Sequence, residues 1–357
     1  MSRPLSIYIH YPYCISKCRY CAFSSCAARG RNGDELLSAY LKELDFYAGV
    51  CGGREVVSVY FGGGTPSLAS VEFVSEILAR AGGNWRLASD CEITLEANPA
   101  TCDVAKLRAF REVGVNRLSI GVQSTRDSFL RWLGRAHTAA QAVEFVEAGA
   151  EIFPNYNVDL MYGLAGQTLA DWEAELARWA HVPHLSLYQL GIEPGTAFAR
   201  AGVAEAGETL AVKMFAAAGR AARRYEVSNY AAPGFESRHN VGYWSGRDYI
   251  GIGPAAAGRL CVEGKFFETK NPCPVEKWLA GSPKLKPLSR MARAREAAIM
   301  GLRQVRGIDM AEFEANIGIP LSKVLRLHES LAWGRSNVRF KKSAFLKMDA
   351  LLAEIII

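Results

Sequence analysis

Short apolar runs with strand character alternate with longer helical patterns over the first two thirds of this chain. Near-continuous apolar strands that are separated by helices are typical of a parallel sheet covered by helices. The alternation therefore predicts an α/β fold, and an open, partial (β/α)6 barrel fits it better than a doubly wound sheet. Six strands are predicted at residues 5–10, 56–61, 92–96, 117–121, 157–161 and 184–190, with helices between them at 35–47, 71–81, 104–113, 139–148 and 170–180.

The alternation stops after about residue 230, which divides the 357 residues into three predicted parts. The partial barrel covers 1–230, an irregular segment rich in Gly, Asn, His and aromatic residues covers 231–285, and a small, mainly helical module that resembles a winged helix covers 286–357. Such modules often bind DNA, but one appended to an enzyme more often only packs against it, so nucleic acid is not an expected partner. The predicted elements of this module are helices at 292–305, 310–317 and 321–333, a strand at 337–340 and a final helix.

Composition places the chain among ordinary globular proteins, because half of its residues are hydrophobic and 22% are charged. No apolar run approaches the ~18 residues that a membrane-spanning helix needs. The first residues, Met1-Ser2-Arg3-Pro4, lead directly into a strand pattern without the apolar region of a secretory signal. We therefore expect a cytoplasmic protein, in which clustered cysteines are metal ligands or redox groups rather than disulfides.

The net charge of +6 has a local source between residues 284 and 306. A solvated helix face is one interpretation of this stretch. The other is a functional patch for anionic lipid, nucleic acid or a carboxylate-bearing ligand, and it leads to the hypothesis of peripheral association with an anionic membrane surface. One acid, Glu296, stands against seven basic residues, namely Lys284, Lys286, Arg290, Arg293, Arg295, Arg303 and Arg306.

Three of the nine cysteines, Cys14, Cys18 and Cys21, fall within eight residues on the loop after the first predicted strand. Thiolates at this spacing can wrap a loop around one face of an iron–sulfur cubane and supply three of its four irons. A structural zinc site is the alternative, and it would need a fourth ligand, for which Cys26 and His10 are candidates. The remaining cysteines are spread along the chain.

Polar residues follow the predicted strands at the points where these strands end. Gly62-Gly63-Gly64-Thr65-Pro66 follows the second strand, Gln123 follows the fourth, and Glu96 and Asp159 lie at strand ends. In parallel α/β folds, ligands bind at the carboxyl ends of the strands. These groups are therefore predicted to converge on one mouth.

The cysteine spacing, the aromatic Tyr20 beside Cys21 and the Gly-Gly-Gly-Thr-Pro segment together resemble the radical S-adenosylmethionine (SAM) superfamily. The resemblance implies a [4Fe-4S] cluster whose open iron binds the amino and carboxylate groups of SAM, which one electron cleaves to a 5′-deoxyadenosyl radical. It implies that Cys14, Cys18 and Cys21 hold the cluster. The SAM site that it implies consists of Tyr8, Tyr20, Gly63, Gly64, Thr65, Glu96, Gln123, Arg135 and Asp159.

Further segments are similar to the oxygen-independent coproporphyrinogen III oxidase group of that superfamily. The oxidases typically carry a fourth cysteine two residues after the third, where this chain has Phe23, and a longer N-terminal extension. The heme chaperone branch, HemW, has Phe at that place and a His-Asn-x-x-Tyr-Trp motif, which here begins at His239. The segments that carry the likeness are 8–12, 61–67, 96–99, 116–124, 159–164 and 226–230.

This resemblance implies a heme chaperone that binds heme and transfers it to respiratory acceptor proteins. His239 is the candidate heme ligand, with Cys26 and His10 in reserve, and neighbouring aromatic residues can contact a macrocycle. The alternative is an oxidase that decarboxylates coproporphyrinogen III to protoporphyrinogen IX. The sequence leaves open whether SAM is cleaved, which acceptor is served and whether the chain forms a homodimer. One departure from the group lies at Ala257, where a histidine is expected.

Overall fold

The computed structural model describes residues 3–357, which form sixteen strands and thirteen α-helices. The strands are β1 (Leu5–Tyr11), β2 (Tyr13–Cys14), β3 (Cys26–Ala27), β4 (Glu55–Gly63), β5 (Arg86–Ala97), β6 (Arg117–Gln123), β7 (Asn155–Tyr162), β8 (His184–Gln189), β9 (Asn229–Ala231), β10 (Asp248–Ile252), β11 (Ala257–Val262), β12 (Lys265–Lys270), β13 (Lys286–Leu288), β14 (Ile308–Asp309), β15 (Leu331–Trp333) and β16 (Asn337–Phe340). The helices are α1 (Leu37–Cys51), α2 (Val71–Asn84), α3 (Val104–Glu112), α4 (Asp127–Leu133), α5 (Ala139–Ile152), α6 (Leu169–Trp179), α7 (Ala197–Arg200), α8 (Glu208–Ala221), α9 (Arg238–Trp244), α10 (Val275–Leu279), α11 (Arg290–Leu302), α12 (Met310–Ile317) and α13 (Met348–Ile355).

Six strands of the main sheet are parallel and lie side by side in chain order, as β1, β4, β5, β6, β7 and β8. Their helices follow each strand, and several begin at a side-chain cap, such as Ser70 before α2 and Thr138 before α5. The predicted α/β fold with six repeats is confirmed. Because the strands are parallel, their carboxyl ends meet at one edge of the sheet.

The segment 231–285 was expected to be irregular, and this expectation is wrong. It contains α9 and the strands β10 to β12, and β10 pairs in parallel with the free edge of β1. The strands β11, β12 and β13 then continue the same sheet in antiparallel order, so the sheet has eleven strands. Glycines in β10 and β11 interrupt the apolar pattern by which strands are recognised in a sequence. A Cβ on Gly251 would lie 2.3 Å from the carbonyl oxygen of Ala257, so the close approach of β10 and β11 requires glycine there.

The C-terminal module has a hydrophobic core of its own, built from α11, α12, α13 and a small antiparallel sheet in the order β14, β16, β15. The predicted helices near 292–305 and 310–317 and the strand at 337–340 are present. The helix expected at 321–333 is absent, because the chain forms one 3₁₀ turn after Pro320 and then enters β15, which pairs with β16. In the described residues, no helix has both the length and the apolar character that a membrane crossing demands.

Candidate functional site

A cavity of about 370 Å³ lies at the carboxyl ends of the parallel strands. The cysteine loop forms one wall, the glycine loop after β4 forms a second, and polar side chains from β5 to β8 complete it. Nearly all of the cluster and SAM residues predicted from the sequence meet here. They are Cys14, Cys18, Tyr20, Cys21, Gly63, Gly64, Thr65, Glu96, Gln123, Arg135 and Asp159.

The cysteine loop is held in place by contacts with its own backbone and with α4. The Lys17 ammonium donates to the carbonyl oxygens of Phe23 and Ser25 at 3.0 and 3.3 Å. The backbone N–H of Arg19 donates to the carbonyl of Leu133 at 3.0 Å. All three cysteines are free thiols that are neither fully buried nor fully exposed. They therefore face the cavity from a loop whose path is already defined.

The donor set of this cavity fits an iron–sulfur cluster better than a single metal ion. Within residues 3–357, no three His, Cys, Asp or Glu side chains surround one ion position. A cubane does not require such convergence, because each thiolate binds a different iron. The Arg135 guanidinium donates from Nη1 to Cys18 Sγ at 3.5 Å, and its buried Nε has no partner among residues 3–357. Three cysteine sulfurs, a cation and an unpartnered buried donor beside open space are what a bound anionic cluster with a polar ligand would satisfy.

Gly63 and Gly64 are required by the packing of the glycine loop against β1. Gly63 has φ of +111°, and a Cβ there would lie 2.7 Å from the His10 ring. A Cβ on Gly64 would lie 2.5 Å from the carbonyl oxygen of Tyr13. The N–H groups of Gly64 and Thr65 donate to the carbonyls of Tyr11 and Tyr13 at 2.6 and 2.8 Å. These glycines thus let the loop lie directly against the start of the cysteine segment.

The end of β6 carries backbone strain that directs side chains into the cavity. Gln123 has φ of +71°, a conformation that residues other than glycine rarely adopt, and the pairing of β6 with β7 shifts register between Gly121 and Gln123. The Tyr188 hydroxyl donates to Gln123 Oε1 at 2.5 Å, and Arg135 Nη2 donates to the Gly121 carbonyl at 2.6 Å. Strain of this kind persists where the surroundings hold it, which is common at functional sites.

Two carboxyl groups, those of Glu96 and Asp159, face this cavity from β5 and β7. The pKa of Glu96 is raised to about 7, chiefly by burial and to a smaller extent by the negative charge of the nearby Asp159. Burial also raises the pKa of Asp159. Glu96 accepts hydrogen bonds from the Tyr60 hydroxyl at 2.9 Å and the Gly63 N–H at 3.2 Å. The pair therefore offers acceptors for ammonium or hydroxyl groups of a ligand.

Replacing Glu96 by glutamine should make the stability of the protein less dependent on pH. The carboxyl ionises near 4.5 when unfolded and near 7 when folded, so the folded state binds more protons between these values. The free energy of unfolding should therefore fall as pH rises through this window, by on the order of 1–3 kcal/mol. Urea midpoints at pH 5 and pH 8 test this, with Glu193→Gln, at the exposed rim of the same cavity, as the control. An equal fall in wild type and Glu96→Gln would refute the assignment.

A second cavity, of about 550 Å³, adjoins the first and shares with it the wall residues Ala22, Phe23, Gly63 and Glu96. Its lining is rich in aromatic side chains. The His239 side chain enters it from the first turn of α9. The other residues that line this cavity are Tyr8, His10, Ser24, Tyr60, Asn240, Tyr243, Tyr249, Ala255, Ala256 and Ala257.

The imidazole of His239 is held with one nitrogen engaged inside the fold. Ser58 Oγ donates to Ser6 Oγ at 2.9 Å, so it accepts from Nδ1–H of His239 at 3.0 Å, and Nε2 keeps its lone pair. The pKa of His239 is lowered to about 3, chiefly by burial and to a smaller extent by the positive charge of Arg117. The ring is therefore neutral at physiological pH. A neutral imidazole with a free Nε2 is a competent metal ligand.

A buried carboxylate positions the start of α9 and hence His239. Glu92 accepts from the N–H groups of Arg238 and His239 at 3.0 and 3.1 Å and from the Ser237 hydroxyl at 3.2 Å. It also lies 3.9 Å from the buried guanidinium of Arg117. The helix therefore begins at a fixed point beside β5.

Three residues predicted from the sequence lie away from the first cavity. Tyr8 lines the His239 cavity instead, with its hydroxyl 3.1 Å from His10 Nδ1. This departs from its predicted place in the SAM site, because β1 is the outermost of the six parallel strands, next to β10, whereas the polar side chains of the first cavity come from β5 to β8. The Tyr8 ring lies 6.2 Å from the rings of both Tyr60 and His239. His10 lines the same second cavity, with Nε2 2.8 Å from the Ser24 carbonyl oxygen. Cys26 is exposed and lines neither cavity.

The basic stretch 284–306 does not form one free cationic face. Arg293 is buried and donates to the carbonyl of Gly246 at 2.5 Å. Arg303 pairs with Asp349, and Lys286 pairs with Glu268 at 2.7 Å. Much of this charge thus joins α11 to its neighbours.

The sequence search missed Tyr188 and Gln189, which line the first cavity. Both lie at the carboxyl end of β8, the last parallel strand, so the rule that located Glu96 and Asp159 also applies to them. Their residue types alone carry no signal for a ligand site.

Comparisons with known proteins agree with this geometry. The family model of the Radical SAM superfamily matches residues 8–178, and that of the HemN C-terminal domain matches residues 288–333. The mitochondrial radical S-adenosyl methionine domain-containing protein 1 of Danio rerio is 32% identical over 387 residues, which cover 99% of this chain and 87% of the relative. The heme chaperone HemW of Escherichia coli is 39% identical over 278 residues, which cover 74% of this chain and 73% of the relative.

Among solved structures, the coproporphyrinogen III oxidase HemN of Escherichia coli has a TM-score of 0.79 at 21% identity, covering 99% of this chain and 90% of that chain. This likeness shows a shared fold. The two family matches and the sequence relatives go further. The chain belongs to the radical SAM superfamily and, within it, to the family that includes the heme chaperone HemW.

Proposed function

We propose that this protein is a heme chaperone, which binds heme in the cavity lined by His239 and transfers it to acceptor proteins. The observation that carries the proposal is the neutral imidazole of His239, which lines a cavity of about 550 Å³ with aromatic walls and engages Nδ1, not Nε2, with Ser58. Binding sites for organic ligands typically measure about 300–1,000 Å³. The names of the HemW relatives support the same interpretation.

The aromatic residues would supply the contact area that a macrocycle needs. The rings of Tyr8 and Tyr60 lie 6.2 and 5.0 Å from the His239 ring, and those of Tyr243 and Tyr249 lie 4.9 Å from each other. Phe23 adds a large apolar side chain, 71% exposed, at the wall between the two cavities. Burial of such exposed apolar surface against a porphyrin would favour binding.

Membership of the superfamily implies a [4Fe-4S] cluster and SAM, and we assign both to the first cavity. Cys14, Cys18 and Cys21 would hold the cluster. Glu96 and Asp159 would accept hydrogen bonds from SAM, and Arg135 would hold a nearby negative charge. When bound, a reduced cluster supplies an electron to SAM. The shared wall would place heme beside this cofactor site.

Heme titration of the anaerobically reconstituted protein tests the proposal. Wild type should show a saturable Soret band near one heme per chain. His239→Ala should weaken heme binding at least about tenfold, since the iron would lose its protein ligand. The exposed His181→Ala is the matched control and should bind like wild type. Unchanged binding by His239→Ala, with binding lost in His10→Ala, would move the ligand to His10.

The alternative function is oxidation of coproporphyrinogen III. An anaerobic assay with coproporphyrinogen III, reductant and SAM distinguishes the two. We expect no protoporphyrinogen from protein that carries its full cluster. Product formation, together with an absence of saturable heme binding, would favour the oxidase.

A further inference from the structure

A third cavity, of about 1,230 Å³, is lined by residues of β4, β5, α9 and the C-terminal module. It lies on the side of α9 away from the His239 cavity. Two acidic residues, Asp90 and Glu236, take part in its lining. Its lining also contains six arginines, namely Arg223, Arg224, Arg238, Arg247, Arg306 and Arg339. We call it the arginine cleft.

Backbone hydrogen bonds hold the arginines of the two modules together. The N–H of Val305 donates to the carbonyl of Tyr225 at 2.9 Å, which joins the segment of Arg224 to that of Arg306. Asn337 Nδ2 donates to the carbonyl of Arg306 at 2.8 Å, and a Cβ on Gly307 would lie 2.5 Å from the Cβ of Arg339. The backbone positions of these arginines are therefore set by the fold.

Half of the arginines are already neutralised by carboxylates. Arg223 pairs with Glu236 at 2.6 Å and Arg238 with Asp90 at 2.6 Å. Arg247 pairs with Glu312 at 2.9 Å. Three of the six arginines that line the cleft are thus paired with a carboxylate.

Arg306 and Arg339 have no carboxylate within ion-pair distance among residues 3–357. Arg224 also lacks one, but its guanidinium is already engaged, because it donates to the Tyr230 hydroxyl and the Phe215 carbonyl and lies 3.6 Å from the centroid of the Phe215 ring. Arg306 donates only to neutral groups, Ser245 Oγ at 2.9 Å and Gln304 Oε1 at 3.1 Å. Residues 286–357 hold thirteen Lys and Arg against seven Asp and Glu, so the net charge of the whole chain resides in this module. A cleft with two exposed and uncompensated guanidinium groups, those of Arg306 and Arg339, attracts a multiply charged anion.

Phosphate groups match this arrangement better than an acidic peptide. Guanidinium groups bind phosphate through paired N–H donors, and linked phosphates concentrate several charges within a few ångströms. An extended peptide presents side chains to one face only at about 7 Å intervals. The lining of the cleft also contains Val57, Tyr225 and Val241, which can contact an uncharged, flat portion of a ligand.

We infer that the arginine cleft binds a nucleoside polyphosphate, with the phosphates on Arg306 and Arg339 and the nucleoside against Val57, Tyr225 and Val241. The site is separate from the cofactor and His239 cavities. Helix α9 divides them, because Arg238 and Val241 line the cleft whereas His239 and Tyr243 line the other side.

Calorimetric titration of the whole protein with ATP and with inorganic triphosphate, both without Mg²⁺, tests this inference. Both probes should bind saturably at one site, and adenosine should bind at least tenfold more weakly. Excess SAM should leave the binding unchanged, which separates the cleft from the SAM site. The double variant Arg306→Gln/Arg339→Gln should bind ATP at least tenfold more weakly. Both side chains are exposed, so folding should be retained.

Arg335→Gln is the matched control, because Arg335 is an exposed arginine of the same module that does not line the cleft. It should bind ATP like wild type. His239→Ala should also bind ATP like wild type, so the result does not depend on the proposed heme function. Absence of triphosphate binding, equal binding by the double variant, or tighter binding of a hexaglutamate peptide than of ATP would each overturn the inference.

Discussion

Replacing Cys18 by serine should reduce the iron content of the anaerobically reconstituted protein from about four per chain to roughly a tenth of that value. Thiolates are soft ligands that iron–sulfur clusters require, and a serine hydroxyl does not replace them. Cys18 also accepts from Arg135 at 3.5 Å, so its sulfur is oriented toward the cavity. Iron and acid-labile sulfide analysis, together with the visible absorption of the cluster, measures the effect.

Cys26→Ser and Cys273→Ser provide matched controls. Both cysteines are exposed and lie outside the cofactor cavity, so both variants should retain their iron. Loss of iron in Cys26→Ser would make Cys26 a fourth ligand and contradict the assignment of three cysteines. Retention of full iron in Cys18→Ser would remove Cys18 from the cluster.

Replacing Glu92 by alanine should destabilise the protein by about 3–5 kcal/mol, since a buried cation would lose its counter-charge. Glu92 and Arg117 are 5% and 2% exposed, and Arg117 Nε has no hydrogen-bond partner in the described structure. The substitution would also leave the N–H groups of Arg238 and His239 and the Ser237 hydroxyl without their acceptor. The shift of the urea midpoint measures the loss.

Asp90→Ala is the control for this prediction, because Asp90 pairs with Arg238 at 2.6 Å on the surface, two residues before Glu92. An exposed ion pair is screened by solvent and contributes little to stability, so this variant should unfold nearly like wild type. Equal shifts for both variants would contradict the role given to the buried pair. Heme binding by Glu92→Ala under stabilising conditions would then report on the position of α9.

The parallel part of the fold could be predicted because its signals are local. Near-continuous apolar strands and their intervening helices produce a repeated pattern, and all six strands appear at the predicted places. The same holds for the first cavity. The carboxyl ends of parallel strands meet at one edge, so Glu96, Gln123 and Asp159 could be grouped from the sequence alone.

The extension of the sheet by β10 to β13 could not be predicted, because its strands lack that pattern. The short strand β10 contains Gly251 and is recognisable only by its parallel pairing with the free edge of β1. Tyr8 illustrates the same limit for the site. Its position in β1 was known, but its place beside the second cavity depends on the lateral order of the strands and on α9, which brings His239 next to it.

By itself, the sequence determined the class of fold, the cysteine loop and the set of polar groups at the mouth, because each depends on residue order within a short segment. Only the tertiary structure decided that His239 is neutral, that Glu92 positions α9, and that arginines from residues 223 to 339 share one cleft. Burial and charge pairing are sums over neighbours that are distant in the chain. They exist only when the sheet and the C-terminal module bring those neighbours together.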